Sequence, residues 1–244
     1  MIPKIIWQTH SYLKEELPLF LQGPMLSWQE NNPDYVHNFV NHLERKNFIE
    51  DNFGKEWADL YSRCGSQVFE ADMWRILCLY EYGGIYADMD TVCLKPIEYF
   101  INLDKDFVCE AGFGEEHGWI NTSIFATKPK GKFITDLKNF VFNKFKQKND
   151  AAMTVDDCGP LAYSAVMDEY ISSGVDISNI ALCHPNYRVG DEESVMQING
   201  STTWNDIKWG FDFSYLNDIY SSLMKDSKID LKIYTKTGHG GWVV

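Results

Sequence analysis

The sequence predicts an α/β fold, a single domain in which a mostly parallel central sheet is flanked by helices. Three observations lead to this prediction. The chain has 244 residues, a length typical of one such domain. It is 45% hydrophobic and 15% aromatic, which is enough apolar material for a folded core. Over its first two thirds, short apolar runs alternate with patterns typical of helices, and this alternation favours a parallel sheet.

The predicted elements follow from these patterns. Strands are short apolar runs, and they are expected at residues 3–8, 34–40, 85–90, 106–113, 119–127 and 230–235. Helices are expected at residues 23–31, 49–61, 67–82, 132–146 and 218–224. A further helix is expected to open at Gly159 and Pro160, because proline suits the first turn of a helix.

The clearest helix covers Gln67–Tyr82. Its apolar residues recur at spacings of four, three and four and form one stripe: Phe69, Met73, Ile76 and Tyr80. Gly83 and Gly84 follow, and glycine supplies the left-handed backbone that ends many helices. The next strand therefore starts close to the end of this helix.

The charge balance bears on the partners of the protein. The chain has 35 acidic and 22 basic residues, and its formal net charge is −13. A surface this acidic repels phosphate backbones, so general binding of nucleic acid is not expected. An anionic ligand would need local positive charge from a metal ion, an arginine or a helix N-terminus.

The cysteines and the N-terminus bear on localisation. None of the six cysteines forms a C-x-x-C pair, and Cys78, Cys93 and Cys109 lie in apolar surroundings typical of buried, reduced thiols. The start of the chain does not resemble a signal peptide, and no apolar run approaches about 18 residues. The sequence therefore predicts a cytoplasmic protein without a transmembrane segment.

A local basic run, Lys144, Lys146 and Lys148, leaves two interpretations open. The simpler one is a solvated helix end. The alternative is peripheral contact with anionic lipid, or with a lipid-diphosphate acceptor, at the inner face of a membrane.

Asp88 and Asp90 follow an apolar run and are candidates for a metal site. Alternate side chains of a strand share a face, so these two carboxylates would lie roughly 7 Å apart. Ligands of open α/β sheets bind beyond the carboxyl ends of the strands, and hard carboxylates suit Mg²⁺ or Mn²⁺. The competing interpretation is an ordinary acidic turn after an edge strand.

Asp72 and Arg75 are three residues apart, so they share a face of the predicted helix. They could form an exposed ion pair worth only about 0.3–0.5 kcal/mol. Alternatively, the short Gly-Gly link could bring the pair close to the aspartate strand, where it could hydrogen-bond a polyhydroxylated ligand.

One long stretch of the sequence carries a specific family resemblance. Residues 69–97, FEADMWRILCLYEYGGIYADMDTVCLKPI, resemble the core of the sugar-binding Asp-x-Asp glycosyltransferases. This family includes yeast outer-chain mannosyltransferases, α-1,4-galactosyltransferases and bacterial capsular polysaccharide glycosyltransferases, and its core is related to that of the clostridial glucosylating toxins. The residues of the pattern in this chain are Asp72, Arg75, Tyr82, Gly83, Gly84, Tyr86, Asp88, Asp90, Lys95 and Pro96.

The resemblance implies a GT-A fold over residues 1–244, with residues 225–244 as a C-terminal strand and flexible lid. It implies a retaining hexosyltransferase that depends on Mn²⁺ or Mg²⁺. A UDP-hexose is the favoured donor and GDP-mannose the alternative. The acceptor would be a glycan or a lipid-linked oligosaccharide, in surface polysaccharide or lipooligosaccharide synthesis.

The resemblance also implies roles for individual residues. Asp88 would contact the ribose and the metal, Asp90 would bind the metal directly, and Asp72 and Arg75 would hold hydroxyl groups of the donor sugar. No general base is assigned, because front-face attack lets the leaving phosphate take the acceptor proton. Tyr86 of the same pattern would also contact the nucleotide sugar. Weaker resemblances add nucleotide-sugar contacts at Trp7, Gln8, Asn121 and Trp242, and a metal or diphosphate ligand at His239.

Two other functions remain as alternatives at this point. A protein-modifying effector glycosyltransferase would share the donor site and differ in its acceptor. A non-catalytic nucleotide-sugar-binding module would bind the donor without consuming it. Hydrolysis of the donor in the presence of Mn²⁺ distinguishes an enzyme from a binding module.

Overall fold

The computed structural model describes residues 1–17, 19–111, 120–148, 155–183 and 196–198. The strands are β1 (Ile5–Thr9), β2 (Val36–Val40), β3 (Gly84–Ala87), β4 (Thr91–Cys93), β5 (Phe107–Ala111), β6 (Ile120–Thr127), β7 (Ile180–Cys183) and β8 (Met196–Ile198). The helices are α1 (Leu19–Asn31), α2 (His42–Tyr61), α3 (Gln67–Tyr82), α4 (Lys132–Gln147), α5 (Val155–Cys158) and α6 (Pro160–Ser172). The predicted helix at 218–224 and strand at 230–235 lie outside the described residues.

A six-stranded sheet in the order β2-β1-β3-β6-β5-β7 forms the centre of the fold. Neighbouring strands are parallel except where β6 pairs with β3 and with β5. Within the described sheet, β6 alone therefore runs against the other strands, which confirms the prediction of a mostly parallel sheet. The carboxyl ends of β1, β3 and β5 and the amino end of β6 share one edge, which we call the carboxyl edge.

Helices cover the sheet and give it two apolar cores. Tyr86, Phe107 and Phe125 pack on one face with residues of α2, α3, α4 and α6. Ile85 and Ile124 lie in a second cluster on the other face, which also contains Trp28 of α1. Adjacent residues enter different cores because side chains alternate along a strand.

Helix α3 is confirmed with the predicted bounds, but it is more deeply buried than an amphipathic stripe implies. Ser66 caps its start by accepting a hydrogen bond from the Phe69 amide. All residues from Asp72 to Leu79 are buried. The helix therefore places polar side chains inside the protein, next to the carboxyl edge.

Several predicted boundaries are wrong. Helix α1 starts at Leu19 and contains Pro24, and α2 starts at His42 because Asn41 and Glu44 form a capping box. Strand β3 ends at Ala87 and not at residue 90. Strand β7 was not predicted, since its four apolar residues, IALC, are too few to show a period.

All six cysteines are free and buried, as expected for Cys78, Cys93 and Cys109. Among the described helices, none combines the length and the apolar character needed to cross a lipid bilayer.

The turn between α3 and β3 requires two glycines. Gly83 and Gly84 have φ angles of 65° and 103°, values that glycine adopts at little cost. A Cβ on Gly84 would lie 2.6 Å from the Ile5 carbonyl oxygen, and one on Gly83 would lie 2.6 Å from Pro129 Cδ. The two glycines thus let α3 end directly against β1 and β6, and this closeness brings Arg75 to the carboxyl edge.

We expect Gly84→Ala to destabilise the protein by at least about 2 kcal/mol, because it combines a strained φ angle with a clash against backbone. Gly23→Ala is the matched control: Gly23 lies within α1, and a Cβ there meets nothing within 4 Å. Urea unfolding should show a lower midpoint for Gly84→Ala and an equal or higher one for the control. An unchanged midpoint for Gly84→Ala would contradict this view of the turn.

Candidate functional site

Asp88 and Asp90 lie in a turn that begins where β3 ends. The Asp88 amide donates to the Ser123 carbonyl (2.8 Å), and the Asp88 carbonyl accepts from the Thr91 amide (3.1 Å) and from Thr91 Oγ1 (2.5 Å). The aspartates therefore do not continue the extended strand that the sequence predicted. In a turn, side chains need not alternate between two faces as they do in a strand, so two carboxylates can approach a common ligand.

Met89, between the two aspartates, anchors this turn in an apolar cluster. It is buried against residues of α1, of β2 and of the segment that precedes α1: Leu17, Leu21, Met25 and Phe39. The indole of Trp28 in α1 donates to the carbonyl (3.0 Å) and to Oγ1 (3.1 Å) of Thr91. Helix α1 thus fixes both the middle and the end of the turn, and the two carboxylates stay at the surface of the cluster.

Arg75 links α3 to the aspartate turn and to β6. Its guanidinium pairs with the Asp72 carboxylate and donates to Thr122 O (3.0 Å) and Thr122 Oγ1 (2.7 Å). It also lies 3.4 Å from Asp88 Oδ1, which accepts a hydrogen bond of 2.7 Å from the Tyr86 hydroxyl. The paired side chains of Arg75 and Asp72 are only 5% and 7% exposed, so the surface ion-pair interpretation is wrong.

The site concentrates negative charge in partly buried surroundings. Burial, followed by the charge of Asp88, raises the pKa of Asp90 to about 7. Burial also raises the pKa of Asp72 to about 6, although the charge of Arg75 opposes this shift. Burial raises the pKa of Asp88 too, against Arg75 and the Tyr86 hydrogen bond. A nearby cation would favour the ionised carboxylates, so the electrostatics suit a bound metal ion.

The residues at the turn fit Mg²⁺ or Mn²⁺. Their carboxylate oxygens are hard ligands, and Mg²⁺ commonly takes one or two carboxylates while phosphates and water complete its shell. In the described ranges, no cluster of three or more His, Cys, Asp or Glu side chains suits a metal ion. Asp88 and Asp90 are the residues of the turn that could hold such an ion. His239 lies outside the described residues.

Glu110 joins the site from β5 and was not among the site residues predicted from the sequence. It is completely buried and accepts hydrogen bonds from Asn121 Nδ2 (3.0 Å) and Ser123 Oγ. Cys109 pairs with Phe125 but Glu110 pairs with Asn121, so β6 contains extra residues at this point. An acidic residue inside the apolar run FVCEA was the available signal.

Comparison with known proteins shows a family similarity over part of the chain. Residues 21–108 match the family of glycosyltransferase sugar-binding regions containing the DXD motif. This range includes Asp72, Arg75, Asp88 and Asp90. This part of the chain is therefore similar to the sugar-binding region of the DXD-motif glycosyltransferases. This confirms the resemblance that the sequence showed.

Individual relatives give the extent of the similarity. An uncharacterized glycosyltransferase of Acanthamoeba polyphaga mimivirus is 26% identical over 188 residues, which cover 77% of this chain and 72% of the relative. The initiation-specific alpha-1,6-mannosyltransferase of Candida albicans is 34% identical over 104 residues, or 41% of this chain. That match spans only 27% of the length of the yeast enzyme.

A solved structure supports the fold of this chain. The ligand-free glycosyltransferase domain from the YGT toxin superposes with a TM-score of 0.51 at 9% sequence identity. The superposition covers 74% of this chain and 79% of the toxin domain. The mixed α/β architecture is thus that of GT-A-like glycosyltransferases.

The structure brings some of the predicted donor contacts to the aspartates. Gln8 Nε2 donates to the Asp88 carbonyl (3.4 Å), and Gln8 Oε1 is 2.7 Å from His37 Nε2. Tyr86 bonds Asp88, and Asn121 joins the site through Glu110. Gln8, Tyr86 and Asn121 therefore belong to the same region of the carboxyl edge as the aspartate turn.

The structure does not bring Trp7 to the aspartates. Its indole donates to the Gly83 carbonyl (2.9 Å) and stacks on Tyr82 with 5.7 Å between ring centroids. Gly83 precedes β3 and Asp88 follows it, so the indole points toward the opposite end of this strand. Trp242, the other predicted aromatic contact, lies outside the described residues.

We expect the stability of the ligand-free protein to fall as the pH rises from about 5 to about 8. Burial raises the pKa of Glu110 from 4.5 to about 8, although its bonds to Ser123 and Asn121 oppose the shift. Between these values the folded state keeps a proton that the unfolded state releases, so a higher pH favours unfolding. In the Glu110→Gln variant residue 110 cannot titrate, so the free energy of unfolding of the variant should decline less between about pH 5 and about pH 8.

The measurement is urea unfolding at several pH values without divalent cations. Glu169→Gln, which removes an exposed carboxylate from α6, is the control and should parallel the wild-type protein. If Glu110→Gln shows the wild-type slope, Glu110 does not titrate in this range.

Proposed function

We propose that this chain transfers a hexose from a nucleotide sugar to a glycan or lipid-linked acceptor, with Mn²⁺ or Mg²⁺ as cofactor and with retention of the anomeric configuration. One observation carries the proposal: the Asp88–Asp90 turn lies at the carboxyl edge and is tied to α3 by the buried side chain of Arg75. The match of residues 21–108 to the glycosyltransferase sugar-binding region containing the DXD motif supports it.

Metal dependence is supported by the charge at the site. Two partly buried carboxylates with raised pKa values, in a chain of net charge −13, would repel a diphosphate without a cation between them. When bound, the cation would neutralise the charge that develops on the leaving nucleoside diphosphate. Asp90 would bind it directly, while Arg75 and Tyr86 hold the Asp88 carboxylate in place.

Asp72 and Arg75 have a second role in the proposal, recognition of the donor sugar. Both side chains are buried, and each is bonded to protein groups beside the aspartate turn. Carboxylate and guanidinium groups form charge-assisted hydrogen bonds, which suit a polyhydroxylated ligand. No protein base is assigned, because the leaving phosphate can accept the proton of the attacking hydroxyl.

The identity of the donor sugar is a finer part of the proposal. The sequence resemblance favours a UDP-hexose, whereas the name of the Candida albicans relative supports mannose and hence GDP-mannose. A panel of UDP- and GDP-sugars, screened by thermal shift with Mn²⁺, decides between them. Hydrolysis of the selected donor separates an enzyme from a binding module, and product analysis separates glycan or lipid-linked acceptors from protein acceptors.

We expect Asp90→Asn to lower donor turnover at least about 100-fold, because an amide binds a divalent cation far more weakly than a carboxylate. The variant should remain folded, and removal of one of two repelling carboxylates should not lower its melting temperature without metal. Donor hydrolysis in Mn²⁺ and in EDTA measures the effect.

Asp104→Asn is the matched control, since Asp104 is exposed in the loop before β5. It should keep wild-type turnover and the wild-type response to Mn²⁺. Wild-type rates for Asp90→Asn in EDTA would show that the metal assignment is wrong.

A further inference from the structure

Glu110 has no part in the function proposed above, although its carboxyl group is completely buried at the carboxyl edge. A buried carboxyl is costly unless both oxygens are hydrogen-bonded. Here Asn121 Nδ2 donates to Oε1 and Ser123 Oγ donates to Oε2. Both donors come from the amino end of β6, so Glu110 holds this part of β6 at two points.

The same short segment of β6 also carries the contacts of the aspartate site. Thr122 accepts both hydrogen bonds that Arg75 donates to β6, and the Ser123 carbonyl accepts from the Asp88 amide. Asn121 and Ser123 point to Glu110, whereas Thr122 points to Arg75. The extra residues that β6 gains between the Cys109 and Glu110 pairings give the segment this arrangement.

The Asn121 side chain is held at two of its polar positions. Its Oδ1 accepts from the Thr122 amide (2.7 Å), and one N–H of its Nδ2 goes to Glu110 (3.0 Å). Since Nδ2 carries two hydrogens, one N–H remains after the side-chain bonds found in the described part of the chain. Asn121 is half-buried, so this N–H can meet a ligand.

We propose that Glu110 is a positioning residue, which orients the Asn121 amide so that its remaining N–H donates to a hydroxyl group of the donor sugar. The inference rests on the proposed function. Without Glu110 the amide could rotate, and the second N–H would lose its fixed direction. Glu110 then affects the part of the nucleotide-sugar binding affinity that comes from the sugar. It does not affect the part that comes from the diphosphate and the metal.

Two substitutions distinguish a role in orienting the Asn121 amide from a role in packing alone. Glu110→Gln keeps both bonds, because its Oε1 accepts from Asn121 and its Nε2 donates to Ser123 Oγ. Glu110→Met has a similar volume but no polar atom for Asn121. Val108→Ala is the control for loss of packing: Val108 is buried on the same strand and belongs to the apolar core.

Calorimetry with Mn²⁺ should compare the nucleotide sugar that the donor panel selects with its nucleoside diphosphate. We expect Glu110→Met to weaken binding of the nucleotide sugar about tenfold, the effect of one lost hydrogen bond, without changing binding of the diphosphate. Glu110→Gln and Val108→Ala should keep the wild-type ratio of the two affinities. Asn121→Ala should lower this ratio as Glu110→Met does, and the double variant should resemble Asn121→Ala alone.

Equal losses for both ligands in Glu110→Met, or additive losses in the double variant, would overturn the inference and make Glu110 a structural residue. If Glu110→Met does not fold, Glu110→Asp replaces it, because its shorter carboxylate cannot reach both partners. Failure of the wild-type protein to bind any nucleoside diphosphate with Mn²⁺ would overturn the proposed function and this inference with it. Suppose instead that the wild-type protein binds the diphosphate normally and that Glu110→Met keeps the wild-type ratio of nucleotide-sugar affinity to diphosphate affinity. This result would overturn this inference alone.

Discussion

The buried charge of Arg75 is the constraint on which the rest of the site depends. A guanidinium inside a protein must be paired and hydrogen-bonded, and removal of one partner of a buried ion pair costs about 3–5 kcal/mol. Arg75 meets this requirement at its two terminal nitrogens, with Asp72 on its own helix, Thr122 on β6 and Asp88 at the turn, while its buried Nε has no hydrogen-bond partner among the described residues. A single planar group therefore holds α3, the aspartate turn and the more distant strand β6 in one arrangement.

The fold provides the conditions for this arrangement. The antiparallel strand β6 inserts between β3 and β5, so its amino end meets their carboxyl ends. Gly83 and Gly84 let α3 end against β1 and β6. Met89 and Trp28 tie the turn to α1 from the other face of the sheet. Apolar packing thus fixes the backbone, and the Arg75 network fixes the carboxylates, which leaves the negative charge at the turn available to a cation.

The fold and the site were predictable from the sequence where the signal was local or carried by fixed spacing. The bounds of α3, the Gly-Gly turn and the grouping of Asp72, Arg75, Asp88 and Asp90 were all available from residues 67–97. The role of Glu110 could not be predicted from the sequence, because it depends on a register shift between β5 and β6 that no local pattern encodes. The direction of the Trp7 indole was hidden for a similar reason, since a strand pattern does not show where a large side chain finds its partners. Strand β7 is four residues long, and its assignment depends on pairing with β5.

The most direct test of this account is calorimetric titration of Mn²⁺ and a nucleoside diphosphate into Arg75→Lys. Lysine keeps the positive charge but cannot reproduce the planar fork that joins Asp72, Thr122 and Asp88. The account predicts that the variant still unfolds cooperatively but binds the metal–diphosphate pair at least about tenfold more weakly, because the Asp88 carboxylate loses its orientation. Wild-type affinity in a folded Arg75→Lys variant would contradict the claim that Arg75 organises the site.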